Sequence, residues 1–284
     1  RLHFKGRGGE ALAVGLASAA EKKIEPVPAA GSPDAIALRI SLARFRTRMG
    51  PVRKNRDVED HVSVVLEIRL AKASPELTFR IEKLLNTSPY WKLESIEWPL
   101  RLFPVRTTDD DGYIVFPEEQ GFIIPSRFDR AGYFRYLNWV WERIAGHAQA
   151  FDRSSMPWFG AKKGRSSFLC IVETPDDAAY GLIGNDVRAP GQPPAAPSAV
   201  PAAGTALYSP RLSAIWPHWR SVKGELGYPR VARYIFQPRG GYVEMCKTYR
   251  KYAQKTGKFV TLKRKMDANP EVGKLLGAAN FEIQ

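Results

Sequence analysis

Short segments in which apolar residues alternate with polar or small ones recur through this chain, and this two-residue period restricts its fold most. Between residues 36 and 42, for example, Ile36, Leu38 and Ile40 alternate with Ala37 and Arg39. Successive side chains of a strand point to opposite faces, so the pattern predicts strands with one buried face. Further predicted strands cover residues 61–70, 77–85, 95–105, 113–117, 121–125, 168–174, 207–219 and 231–236.

Turn residues separate many of these predicted strands, as in the Asp-Asp-Asp-Gly run at 109–112. Many short strands joined by turns favour a mainly β, antiparallel sandwich over alternating strands and helices. A chain of 284 residues is long enough to bury such a core without disulfides or metal.

The end of the chain follows a different period. Tyr242, Met245, Tyr249 and Tyr252, with Cys246 and Ala253, recur at helical spacing, which predicts a helix from about Gly241 to Thr256. Gly257 is the expected C-cap of this helix. A short helix is predicted at 270–276 and a strand at 278–283.

One low-complexity stretch, the Pro/Ala-rich segment 188–204, lacks core-forming side chains. Its prolines also lack the backbone N–H groups that would donate hydrogen bonds. It predicts an extended surface loop. Strand-like sequence resumes after it, which favours a loop inserted in one sandwich over a boundary between two domains. The expected division is a sandwich domain at 1–240 and a separate C-terminal region at 241–284.

The chain is strongly basic, with a formal net charge of +14 and a pI of about 9.8, which favours acidic partners. Eight cations and no acid lie between Lys247 and Lys265. Tyrosines of the predicted helix would face the sandwich while these cations stay solvated, so nucleic acid is not the expected partner. Every second residue from 44 to 48 is an arginine, so Arg44, Arg46 and Arg48 lie on one face of a predicted strand. This stripe is interpreted as a solvated face with carboxylates nearby.

Neither a metal nor another cofactor is expected. The four histidines have no metal-ligand spacing, and the two cysteines lie far apart, which favours buried free thiols while leaving a disulfide open. No apolar run approaches the roughly 20 residues of a membrane helix, so no membrane span is predicted. These residues are His3, His61, His147, His218, Cys170 and Cys246.

A glycosidase needs two carboxyl groups across the scissile bond. Asp176 and Asp177 are neighbours and would point to opposite faces of a strand, while the acids at 109–111 and 118–119 lie in turn sequences. No catalytic residue is therefore predicted in this chain.

Aromatic residues are the best candidates for sugar contact, because flat rings match the apolar faces of pyranoses. Core packing is the rival interpretation for each ring. The predicted carbohydrate-binding residues are Tyr136, Trp139, Trp141, Trp158, Asp176, Asp177 and Trp216.

Several strings together resemble the amino-terminal region of large bacterial glycoside hydrolases near the endo-α-N-acetylgalactosaminidase-like group. The resemblance runs from about Asp57 to the end of the chain, and the Pro/Ala-rich segment departs from it. The strings include EDHVSVVLEIRL at 59–70, RLFPV at 101–105, GFIIPSRF at 121–128, MPWFG at 156–160, IVETPDDA at 171–178 and KGELGYP at 223–229.

The resemblance implies a galactose-mutarotase-like supersandwich followed by a (β/α)8 barrel that carries the catalytic acids. Residues 241–284 would then be the connecting helix and the start of a truncated barrel, with the catalytic residues beyond Gln284. This chain would be a noncatalytic module that supports the barrel and contacts glycan, inactive alone, in a secreted or cell-surface bacterial protein.

Two alternatives remain. One is a free-standing mutarotase-like sugar epimerase, an enzyme class that uses paired histidines with a carboxylate; the four histidines here are scattered along the sequence. The other is a basic binding protein for nucleic acid or acidic glycans.

Overall fold

The computed structural model describes residues 1–29, 35–46, 58–106, 109, 111–116, 121–126, 149–150, 156–183, 212–221 and 223–277. Within these residues, sixteen strands form two antiparallel sheets, followed by helices near the C-terminus. The predicted mainly β, antiparallel sandwich with a C-terminal helix is therefore confirmed. The Pro/Ala-rich segment 188–204 and the predicted strand at 278–283 lie outside the described residues.

Sheet A has the strand order β11-β14-β15-β7-β1-β2, and β8 pairs with the start of β15. The N-terminal hairpin β1–β2 is thus part of this sheet. Its strands are β1 (Leu2–Gly6), β2 (Ala11–Val14), β7 (Trp91–Glu97), β8 (Val105–Arg106), β11 (Gln149–Ala150), β14 (Ala178–Ile183) and β15 (Leu212–Arg220).

Sheet B has the order β10-β9-β12-β13-β16-β6-β5-β4-β3, and its neighbouring strands pair in antiparallel register. Its strands are β3 (Ala19–Val27), β4 (Ala35–Phe45), β5 (Val62–Ala71), β6 (Glu76–Asn86), β9 (Tyr113–Phe116), β10 (Phe122–Pro125), β12 (Trp158–Lys163), β13 (Ser166–Val172) and β16 (Arg230–Gln237).

The main core is formed by residues of both sheets. Leu2, Ile96 and Trp219 of sheet A and Ile81 and Tyr234 of sheet B are fully buried in one apolar cluster. Burial of each large apolar side chain contributes roughly 1.5–3 kcal/mol, so the alternating pattern supplies the driving force that holds the two sheets together.

The predicted strand at 95–105 is wrong. The observed strand β7 begins at Trp91 and ends at Glu97, and only the two-residue β8 follows at Val105. Pro99 and Pro104 lie between them and cannot donate a backbone hydrogen bond to a sheet. The other predicted strands that lie within the described residues are observed with shifted ends.

The arginine stripe at the end of β4 is a solvated face, as interpreted from the sequence. The Arg44 guanidinium lies 3.6–3.7 Å from carboxylate oxygens of Glu21, Glu59 and Asp60, and it is about half exposed. Arg48 lies outside the described residues.

Helix α1 (Tyr242–Lys255) packs against β12 and β13 on the outer face of sheet B. Met245 is buried in an apolar cluster with Trp158, Leu169 and Ile171, and Gly257 has a φ of 71° just after the helix. The helix and its glycine C-cap were predicted. The predicted apolar face was too wide, because Tyr242 and Cys246 are exposed.

Two shorter helices follow α1. Helix α2 (Leu262–Ala268) was not predicted, and the predicted helix at 270–276 is a 3-10 helix at Pro270–Leu275. Thr261 caps α2 by accepting a hydrogen bond from the Arg264 N–H. Among the described residues, no helix is long and apolar enough to cross a membrane. Both cysteines are free thiols, Cys170 buried and Cys246 exposed.

We expect Gly160→Ala to lower the free energy of unfolding by about 1–3 kcal/mol, the usual cost of overpacking. A Cβ at this position would lie 2.5 Å from the Phe168 carbonyl oxygen and 2.6 Å from Met245 Sδ, so strand and helix would have to separate. Urea unfolding measures the effect. Gly15→Ala is the control, because nothing lies within 4 Å of its Cβ position; equal losses in both variants would contradict the packing account.

Candidate functional site

A buried polar cluster surrounds Glu97 at the end of β7. Its Oε1 accepts a hydrogen bond from the Trp216 indole N–H at 3.1 Å, and its Oε2 lies 3.2 Å from His3 Nε2. His218 Nδ1 is 3.5 Å from Oε1, an electrostatic contact at the limit of hydrogen-bond length. These four residues, His3, Glu97, Trp216 and His218, are called the Glu97 cluster.

The sheet register brings these residues together. β7 lies between β1 and β15, and His218 is the direct cross-strand partner of Glu97. Leu2, Ile96 and Trp219, their sequence neighbours, point into the core between the sheets. Because alternate residues face opposite ways, the Glu97 cluster lies on the outer face of sheet A.

Charge is concentrated at this cluster. Glu97 is 7% exposed; burial acts to raise its pKa, but the His218 and His3 imidazoles outweigh burial and hold the pKa well below its usual range. The two imidazole rings are stacked with their centroids 6.1 Å apart. The Arg101 guanidinium lies 5.1 Å from the Trp216 ring centroid, which adds a cation–π contact.

The chemistry available to the cluster follows from this arrangement. A carboxylate with a lowered pKa stays ionised and is a weak proton acceptor, so it orients the imidazoles on either side of it. Imidazoles are the side chains that most often donate and accept protons in catalysis. Within the described ranges, no group of three or more His, Cys, Asp or Glu side chains has a metal-binding arrangement.

Two of the predicted sugar-contact tryptophans are buried. Trp216 is 5% exposed and belongs to the Glu97 cluster, next to Gly181 of β14. Trp158 is 2% exposed beneath α1, with its ring centroid 6.2 Å from that of Tyr249. The core-packing interpretation fits Trp158, because α1 covers the ring that a sugar would have to contact.

The two predicted aspartates have different surroundings. Asp177 pairs with the fully buried Arg230, whose Nε lies 2.9 Å from Oδ1, and the Tyr228 hydroxyl donates to the same oxygen at 2.9 Å. Asp176 is exposed. Asp177 is therefore the counter-ion of a buried guanidinium, and both carboxylate oxygens are engaged by it.

The other three predicted sugar-contact residues, Tyr136, Trp139 and Trp141, lie outside the described residues. Their role remains a prediction.

Sequence reasoning missed the grouping of His3, Glu97 and His218. The three residues are separated by 94 and 121 positions, and no spacing rule links side chains on strands that far apart. The available signal was a polar residue between core residues in each strand, which marks an outer face but does not identify its neighbours.

Comparison with solved structures shows that the fold is shared with part of a large glycoside hydrolase. The α-N-acetylgalactosaminidase NagBb from Bifidobacterium bifidum, in complex with GalNAc, aligns with a TM-score of 0.66 and 19% identity over 97% of this chain and 36% of that chain. The ligand-free enzyme aligns with a TM-score of 0.62 and 18% identity over the same shares. No family model matches the sequence, and no curated protein matches it.

The resemblance inferred from the sequence is thus confirmed at the level of the fold. The chain spans a little over a third of the enzyme that it matches, so the rest of that enzyme has no counterpart among these residues. At this identity the likeness defines the architecture and leaves the function to be argued from the site.

We expect Glu97→Gln to destabilise the protein by about 1–3 kcal/mol near pH 7, because an amide cannot replace a carboxylate between two imidazoles and an indole. The pKa of Glu97 is lower in the folded than in the unfolded state, so its stabilisation is present above about pH 4.3 and declines as the pH falls below it.

Denaturant unfolding of the parent chain and of Glu97→Gln between pH 3 and 7 measures the difference in their free energies of unfolding. Glu94→Gln is the control, because Glu94 is exposed on the same strand. A Glu97→Gln penalty that stayed constant down to pH 3 would contradict the assigned ionisation.

Proposed function

We propose that this chain is a noncatalytic sandwich module of a glycoside hydrolase that acts on α-linked N-acetylgalactosamine. The observation that carries the proposal is the alignment of nearly the whole chain, 97%, with only 36% of an α-N-acetylgalactosaminidase. A module of this kind supports a catalytic barrel elsewhere in the polypeptide and borders its sugar-binding cleft.

The state of the carboxylates supports a noncatalytic role. A glycosidase needs one carboxyl group as acid and a second as base or nucleophile. Among the described residues, the most buried carboxylates are committed to structural pairs: Glu67 to Arg69, Asp177 to Arg230 and Glu97 to the imidazoles. In each pair the carboxylate oxygens are occupied by a neighbouring side chain.

The attachment of α1 supports the proposed boundary, with a sandwich at 1–240 and a connecting region from 241. Arg233 of β16 bridges Glu173 Oε1 at 2.6 Å and Glu76 Oε2 at 2.9 Å. Burial, together with the Glu173 carboxylate, raises the pKa of the Tyr252 hydroxyl to about 12. Apolar packing and this polar chain hold α1 in one orientation on sheet B, so it can fix the direction in which the polypeptide leaves the sandwich.

Hydrolysis of an aryl α-N-acetylgalactosaminide tests the proposal. We expect no release of the aryl group by the purified chain above the rate of its Glu97→Gln variant, since neither carries a catalytic pair. The native polypeptide that contains this chain should hydrolyse the same substrate. Turnover by the isolated chain would overturn the noncatalytic role.

The Glu97 cluster favours a second candidate, a sugar epimerase of the mutarotase type. The sequence places the histidines far apart, but the fold brings His3 and His218 to 3.2 and 3.5 Å from one carboxylate. Paired imidazoles oriented by a carboxylate can exchange protons with the ring oxygen and anomeric hydroxyl of a sugar.

Interconversion of the anomers of free galactose and N-acetylgalactosamine, followed by NMR, separates the two candidates. The epimerase predicts an accelerated rate that His218→Gln removes and His61→Gln retains, because His61 contacts Thr87 at the end of sheet B, away from the Glu97 cluster. The noncatalytic module predicts the uncatalysed rate for all three proteins.

A further inference from the structure

The outward face of α1 is a row of cations. Lys247, Lys251 and Lys255 are exposed, and Lys258 follows just after the helix. From Lys247 to Lys255 the row is about 12 Å long at the usual helical rise. These four lysines, with the exposed Arg250, are called the basic ridge.

The opposite face of α1 keeps the ridge in place. Met245 and Ala253 are buried against sheet B, and Tyr249 and Tyr252 are half-buried on the same side. The lysines are therefore held on a rigid scaffold. Within the described part of the chain, only Glu244 approaches a ridge lysine, at 3.8 Å from Lys247 Nζ and with both side chains largely exposed.

A basic hollow lies at the N-terminal end of the ridge. It has a volume of about 470 Å³ and is lined by Lys162, Arg165 and Arg239, with Asp111 and two glycines completing its wall. One of the glycines, Gly240, directly precedes Gly241, the N-cap of α1. Among the described residues, no carboxylate lies within ion-pair distance of Arg165 or Arg239, so their charges are available to an anion.

The chemistry of this surface selects among polyanions. Single-stranded nucleic acids are bound by cations interleaved with exposed rings, but Tyr249 and Tyr252 face the sandwich. An amphipathic helix binds an anionic membrane by inserting its apolar face, and that face of α1 is covered by β12 and β13. Lysine ammonium groups act as point charges, so they can bind an anionic group without a planar base next to it.

We propose that the basic ridge and the adjoining hollow bind an anionic polysaccharide, with the sulfate or carboxylate groups of successive sugars contacting the lysines. Retention depends on charge, so it weakens as salt rises. The partner is thus a glycan recognised outside the Glu97 cluster, on the opposite sheet.

Binding of heparin by the full chain, measured by calorimetry at several salt concentrations, tests the proposal. The ridge variant is Lys251→Gln, Lys255→Gln and Lys258→Gln. The matched control is Lys5→Gln, Lys92→Gln and Lys223→Gln, which removes the same charge from exposed positions on and beside sheet A. Thermal unfolding checks that all proteins fold.

We expect the ridge variant to bind at least about tenfold more weakly at low salt, with a slope of log affinity against log salt reduced by about three. The control should keep the parent slope and lose less affinity. Arg165→Gln with Arg239→Gln should weaken binding further, because the hollow holds an anionic group of the same polysaccharide; unchanged affinity in this variant would remove the hollow from the site.

Equal losses in ridge and control variants would overturn the proposal, because net charge alone would then explain retention. Binding of duplex DNA or anionic vesicles more tightly than heparin at equal ionic strength would also overturn it, by assigning the surface to a different class of partner.

Discussion

Burial of one face of each sheet is the constraint on which the rest of this structure depends. The inward residues of the strands, such as Phe4 in sheet A and Phe79 in sheet B, are committed to the shared core. Function must therefore lie on the two outer faces or in the connections. Sheet A uses its outer face for the Glu97 cluster, and sheet B uses its outer face to hold α1.

Buried charges define the outer faces as firmly as apolar packing defines the core. Glu97 joins three neighbouring strands through His3, Trp216 and His218, and Arg233 joins two glutamates beside α1. Removal of one partner leaves the other charge buried and unpaired. The stability lost in this way is larger than the stability that an exposed ion pair contributes. These pairs help to fix the register of the strands and the position of the helix, and the lysines on the outward face of α1 remain exposed.

Much of the fold could be predicted from the sequence because period two and period 3.6 are local signals. The strand around Ile40 and the helix around Met245 were predicted from neighbouring residues alone. The Glu97 cluster could not be predicted, since it depends on the order of strands in sheet A, which tertiary packing decides. Trp158 shows the same limit: its flat ring is a candidate for sugar contact in the sequence, and only the fold shows that a distant helix covers it.

The mass of the native polypeptide tests the central claim, that this chain is a sandwich module of a larger hydrolase, most directly. An antibody raised against the chain, used on its source cells and their medium, should detect a polypeptide much heavier than 31.8 kDa, as the 36% coverage of the aligned enzyme suggests. Mass spectrometry of that band should identify peptides of this chain followed by further sequence. A native polypeptide of about 31.8 kDa that ends at Gln284 would contradict the account.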